Sequence, residues 1–319
     1  MPEAASPEAA ASAAKALVQR VREGDRRSLA RALTLVEGGA SDAMAVLAAV
    51  QPYLGQALVI GLTGPPGAGK STLANALIRQ LRSQGKTVGV IAVDPSSPLS
   101  GGAILGDRVR MAAAYDDDDV FVRSLASGGT LGGLSPAAVR IIDVLDAAGK
   151  DVVLLETVGT GQNEVDVAEI ADIRIVATAP GLGDGVQAMK AGLLEIADIL
   201  VVNKSDRDGA EATAHQLQAG LGMGGTAAST TPVIRTSALN GIGIAELLVA
   251  IGEVARRALA VPLVERRRRR ARYLLARAAA AIVEQRVREG DGAVIGRLAD
   301  DLLGGQCTPQ EAARRLLAD

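Results

Sequence analysis

Residues 64–72 read Gly64-Pro65-Pro66-Gly67-Ala68-Gly69-Lys70-Ser71-Thr72. Two glycines with four residues between them, then a lysine and a hydroxyl residue, form a complete phosphate-binding loop. The apolar run Ala57–Leu62 precedes it and a helical pattern, Leu73–Leu81, follows it. Strand, loop and helix are the setting this motif needs, which a chance glycine-rich turn would lack. The glycines let backbone N–H groups turn toward phosphate oxygens, and the helix N-terminus adds positive potential. Lys70 is expected to reach the β- and γ-phosphates, and the Ser71 hydroxyl to ligate Mg²⁺. The chain is therefore expected to bind a nucleoside triphosphate.

Working outward, apolar runs alternate with helical patterns. The runs are Leu58–Leu62, Val88–Val93, Val120–Val122, Val152–Leu155, Ile173–Ala177, Ile199–Val202 and Val233–Ile234. They are nearly continuous and rich in β-branched residues, as parallel strands covered on both faces should be. Helices over Pro136–Ala148 and Ile244–Ala258 fit between or after them. The pattern predicts a doubly wound α/β domain with a mostly parallel sheet. Before it, residues 1–55 show helical periodicity broken at Gly24-Asp25 and Gly38-Gly39. The expected organisation is an N-terminal helical extension over 1–55, a nucleotide-binding domain over 56–260 and a C-terminal helical region over 261–319. In the last region Thr308, Pro309 and Glu311 spell a capping box.

Composition narrows the function classes. Net charge is −2 and aromatic residues make up 1% of the 319, so neither a basic surface nor a base-stacking platform for nucleic acid is expected. The run Arg266–Arg270 is read as a solvated helix face or an inter-subunit contact, and Asp116–Asp119 as a solvated turn. Cys307 and His215 are single. A soft-metal site and an intrachain disulfide are both disfavoured, which suits a reducing cytoplasm. No apolar run is long enough to span a bilayer.

The nucleotide's identity is read from Asn203-Lys204-Ser205-Asp206, just after the run Ile199–Val202. The Asp206 carboxylate can accept from both the ring N–H and the exocyclic amine of guanine, a pair that adenine lacks. Asn203 can tie this turn to the phosphate loop, and the Lys204 stem can lie over the base. Ser237, Ala238 and Leu239 lie where backbone N–H groups could meet the base oxygen. Glu156 closes an apolar strand, where a carboxylate can hold Mg²⁺ directly or through water, although GTPases usually carry Asp there. A merely solvated strand-end acid is the plainer alternative. The Gly159 N–H can sense the γ-phosphate. Asp94 ends the second strand and is a candidate to position Mg²⁺ or the attacking water. Asp107 reads equally as a helix N-terminal acid or a ligand.

Taken together, these stretches resemble the methylmalonyl-CoA mutase-associated G proteins of the MeaB/ArgK type. The match includes Val93–Pro98, Gly101–Arg108, Ser127–Gly133, Glu156–Gln162 and Pro180–Asp184, besides the phosphate loop and the base motifs. It covers nearly the whole chain. The resemblance implies a GTPase of the signal-recognition and nitrogenase-iron-protein class, homodimeric, with slow intrinsic turnover stimulated by its partner. That partner would be an adenosylcobalamin-dependent acyl-CoA mutase, whose cofactor loading and protection the G protein would assist. By position, Ser71, Asp94, Asp107 and Glu156 resemble the Mg²⁺ and water shell. Asp94–Asp107 resembles the first switch and Glu156–Gln162 the second. Asp184, Gln187 and Lys190 fall in a further switch that reports nucleotide state to the mutase. The family often has Gly-Asp-Glu-Leu-Gln there, whereas this chain has Gly183-Asp184-Gly185-Val186-Gln187, a change compatible with a different mutase client.

Three other readings compete. A P-loop kinase phosphorylating a small molecule or protein has no use for a guanine-reading Asp206. A nickel-delivery GTPase would need His and Cys clusters. A non-hydrolysing scaffold would bind GTP without turnover.

Overall fold

The computed structural model describes residues 6–39, 41–94, 117–126, 134–157, 162–182, 193–223, 230–290 and 292–318. It divides into two compact units, Met1–Arg269 and Arg270–Asp319.

The first unit is built on seven parallel strands: β1 (Leu58–Thr63), β2 (Val88–Asp94), β3 (Val120–Ala126), β4 (Val152–Glu156), β5 (Ile173–Thr178), β6 (Ile199–Val202) and β7 (Val233–Arg235). Their spatial order is β3-β2-β4-β1-β5-β6-β7. From β1 the chain builds outward on one side through β2 and β3, returns to β4, then crosses to β5 on the other side. The strand order therefore reverses around β1. In open α/β sheets, ligands bind beyond the carboxyl ends of strands at such a reversal.

Side chains alternate along each strand. Ile60 and Leu62 of β1 join Leu73, Leu77 and Ile78 of α4 (Lys70–Ser83) in one buried cluster. Leu247, Ile251 and Val254 of α9 (Ile244–Ala260) belong to the same cluster. On the opposite face, Ile141, Ile142 and Leu145 of α5 (Pro136–Ala147) are fully buried. Three further helices, α6 (Gln162–Ile170), α7 (Leu193–Ile196) and α8 (Ala210–Met223), complete the layers. At the start of the chain, α1 (Pro7–Arg22), α2 (Arg26–Gly38) and α3 (Ser41–Val50) pack on one another and on α5. Ser6 and Asp25 cap α1 and α2 by accepting from Ala9 N and Arg27 N.

An acid stands immediately before three of the strands and sets the register of a neighbour. Asp151 accepts from Thr87 N at 2.8 Å, just before β2. Asp172 accepts from Val59 N at 3.0 Å in β1, and Asp198 from Arg174 N at 2.8 Å in β5. Asp146 accepts from Gln56 N and Ala57 N at 3.0 and 2.9 Å, fixing the entry to β1. Each carboxylate satisfies N–H groups at the amino edge, where the ladder has run out of partners.

Three expectations are refined. The basic run, expected as a solvated helix face or an inter-subunit contact, is solvated only in part: Arg268 is exposed, while Arg266 is buried. Within the first unit the Arg266 side chain is only 8% exposed and pairs with Asp172 at 3.3 Å. Arg267 bonds Gln51, and Arg269 donates to Ala171 O at 2.6 Å. Within the first unit, Arg266, Arg267 and Arg269 brace the opening turns of α10 (Leu263–Glu289) against the amino edge of the sheet. The acidic turn is exposed at Asp118 and Asp119, as a solvated turn should be, and is also anchored, because Arg82 pairs with Asp117 at 2.8 Å and Asp119 at 2.5 Å. That guanidinium holds the Asp117 carboxyl below the usual carboxylate range. Strand β3 also runs on to Ala126, beyond the expected Val122. Arg123 interrupts the apolar pattern there, but β3 is the sheet's edge and Arg123 can pair with Glu37 of α2.

In the second unit the rest of α10 is followed by α11 (Gly292–Leu303) and α12 (Pro309–Ala318). The capping box is formed: Thr308 N donates to Glu311 Oε2 at 2.8 Å, and Glu311 N to Thr308 Oγ1 at 3.3 Å. Among the described residues no helix is long and apolar enough to cross a membrane.

Candidate nucleotide site

The phosphate loop leaves the carboxyl end of β1 and ends at the first turn of α4. Gly64 has φ 135°, and a Cβ there would stand 1.9 Å from Ala177 O, so no side chain fits. Gly69 has φ 83° and caps α4 without a side-chain hydrogen bond, which leaves the helix end open to an anion. Pro66 and Gly67 are exposed, Ala68 is buried, and Thr72 is exposed in the first turn. Lys70 Nζ lies across the loop, donating to Gly64 O at 2.8 Å and Pro65 O at 3.1 Å. Its charge is thereby held inside the cradle, where phosphate oxygens would meet it.

Beside the loop, the Ser71 hydroxyl donates to Glu156 Oε1 at 2.6 Å. Glu156 is 4% exposed at the end of β4. Thr157 N donates to Leu62 O at 3.1 Å, and the Thr157 and Thr63 hydroxyls bond at 2.9 Å. These bonds keep the ends of β4 and β1 together and hold Glu156 against the start of α4.

The base motif follows β6. Asn203 Nδ2 donates to Ala68 O at 3.0 Å and Gly69 O at 3.3 Å, joining this turn to the phosphate loop. Asn203 Oδ1 accepts from Thr236 Oγ1 at 3.2 Å and Ala238 N at 3.1 Å. The Ala238 N–H, read from sequence as a donor to the base oxygen, is thus engaged by Asn203 in this structure. Lys204 has φ 56° and reaches Gly67 O at 2.6 Å, so its stem spans the gap between the two loops. Asp206 is exposed, and the Ser237 hydroxyl donates to its Oδ1. That hydrogen bond holds the carboxyl below the usual carboxylate range, so it remains an acceptor at neutral pH. Leu239 is exposed beside it.

The family model for the methylmalonyl-CoA mutase-associated GTPase MeaB matches residues 29–291. The chain belongs to this family. Relatives agree with it. A putative GTPase of Pyrococcus horikoshii is 49% identical over 241 residues, covering 74% of this chain and 76% of its own. GTPase ArgK of Escherichia coli is 46% identical over 195 residues, covering 60% and 59%. A mouse protein named methylmalonic aciduria type A homolog, mitochondrial, is 43% identical over 149 residues, covering 47% and 36%. A crystal structure described as LAO/AO transport system kinase superposes with a TM-score of 0.74 at 28% identity, covering 99% of both chains.

As a MeaB-family GTPase, the chain binds guanine nucleotide and hydrolyses GTP. The Ser71 hydroxyl and Glu156 carboxylate, two hard oxygens in contact, form a donor set that fits Mg²⁺ completed by phosphate oxygens and water. The Asp94 side chain, Asp107, Gly159, the Gln162 side chain, Asp184, Gln187 and Lys190 lie outside the described residues. A cavity of about 780 Å³ opens at the opposite, amino edge of the sheet. The pairs Arg174–Asp198 and Arg266–Asp172 line it, beside Glu195 and Arg257, and it lies at the end of the strands away from the phosphate loop.

The sequence assigns no role to the side chains of Thr63, Thr157, Thr236 and Asn240. Small polar residues at strand ends are too common to stand out, and only contact shows what they hold.

Proposed function

We propose that this chain is a Mg²⁺-dependent GTPase chaperone of an adenosylcobalamin-dependent acyl-CoA mutase, working in the cytoplasm as a homodimer. The family match over residues 29–291, with its mutase-associated description, carries this reading. The domain over 56–260 is the nucleotide engine, and the helices over 261–319 supply the dimer contact.

In this reading the phosphate loop and Lys70 bind the β- and γ-phosphates, and Asp206 reads the guanine. Mg²⁺ held by Ser71 and Glu156 would neutralise charge on the β- and γ-phosphates. A water attacks the γ-phosphorus while the bond to the β–γ bridging oxygen breaks, giving GDP and phosphate. Lys70, fixed in the cradle, offsets the negative charge that gathers on the departing oxygens. Asp94 or Asp107 orients the water. Slow turnover in isolation follows from the absence of a strong general base in the motifs. The switch residues Gln162, Asp184, Gln187 and Lys190 carry the nucleotide state to the mutase and so gate cofactor loading.

The client is tested by co-purification. The tagged chain, loaded with a non-hydrolysable GTP analogue, is expected to retain one acyl-CoA mutase from a panel of purified enzymes. Retention of none would contradict the chaperone role. Exclusive retention of methylmalonyl-CoA mutase would remove the case that Gly185-Val186 marks another client.

A further inference from the structure

Ser237 is 1% exposed, and its hydroxyl has one proton to give and two lone pairs to receive. The proton goes to Asp206 Oδ1. Asn240 Nδ2 donates to the same hydroxyl oxygen at 2.9 Å. The result is a directional relay from amide to hydroxyl to carboxylate. Donation from Asn240 occupies a lone pair of Ser237 and so turns the hydroxyl rotor toward Asp206. Bonds in such a chain also polarise one another.

The frame around this relay does not depend on the Asn240 side chain. Ser237 N donates to Ile242 O at 3.0 Å, and Ile242 N to Ser237 O at 3.1 Å. Asn240 N donates to Ser237 O at 3.0 Å. These backbone bonds close residues 237–242 into a tight loop. Asp206, by contrast, is exposed, and among the described residues its carboxylate is held by the Ser237 hydroxyl and by its own backbone N–H. Its aim toward a base therefore depends on what aims Ser237.

We propose that Asn240 is a positioning residue for guanine recognition, acting on Asp206 through the Ser237 hydroxyl. The proposal rests on Asp206 being the guanine reader. Guanine makes two hydrogen bonds to that carboxylate and hypoxanthine only one, so a poorly aimed Asp206 penalises GTP more than ITP. Substituting aspartate for Asn240 adds a second acceptor that competes for the single Ser237 proton, so its effect exceeds that of alanine.

The test is competition binding of GTP, ITP and XTP to the full chain and to Asn240→Ala, Asn240→Asp and Asp206→Asn, with melting temperatures measured in parallel. Asn240→Ala is expected to lower the GTP:ITP preference by about threefold to tenfold, the range of one net hydrogen bond. Asn240→Asp should lower it further, both with melting temperatures close to the parent. An unchanged preference, or an equal loss of GTP and ITP, would overturn the relay while an Asp206→Asn switch toward XTP left the guanine reader standing. No switch in Asp206→Asn would overturn both.

Discussion

Replacing Lys70 by alanine is expected to lower kcat for GTP hydrolysis by on the order of 10²–10³, the usual cost of losing one preorganised group that stabilises transition-state charge. The physical ground is where the ammonium already lies. It is 7% exposed and bonded to Gly64 O and Pro65 O, so the loop holds it within the phosphate cradle before nucleotide arrives. Little reorganisation is needed when charge develops on the γ-phosphoryl oxygens. Single-turnover hydrolysis with the variant saturated by GTP separates this loss from weaker binding. A kcat within threefold of the parent would show that Lys70 serves binding alone.

Asp206→Asn is expected to shift the GTP:XTP preference by on the order of 10⁴ toward XTP, the discrimination reached by sites built around specific hydrogen bonds. The carboxylate accepts twice from guanine. An asparagine amide would set its N–H₂ against the exocyclic amine of guanine, but would pair with the oxygen that xanthine has in that place. Asn203 and Lys204 would still join the loops through Ala68, Gly69 and Gly67, so nucleotide affinity as such should persist. Equal affinity of the variant for GTP and XTP would contradict the role given to Asp206.

The strands were legible because a parallel sheet covered on both faces demands nearly unbroken apolar runs, and Leu58–Leu62 or Ile199–Val202 admit few other readings. The phosphate loop was legible because its chemistry fixes both residue types and spacing. Edge strand β3 was read short, since an edge tolerates polar residues such as Arg123. The pairing of Arg266 with Asp172 was not legible in the Arg266–Arg270 run, because the two residues are far apart in sequence and charge alone does not say what it faces. Asp151, Asp172 and Asp198 carry the register of three strands, yet an aspartate before a strand looks like any turn residue. Asn240 was invisible for the same reason: only its 2.9 Å contact with Ser237 gives it a role.

A GTPase that serves a cobalamin-dependent mutase should change its turnover in answer to that enzyme. The most direct measurement is steady-state GTP hydrolysis in Mg²⁺, with and without each of a panel of purified adenosylcobalamin-dependent acyl-CoA mutases, ATP serving as the control nucleotide. Slow hydrolysis of GTP alone, strong stimulation by one mutase and negligible turnover of ATP are expected. GTP hydrolysis that no mutase alters, or a preference for ATP, would contradict this reading.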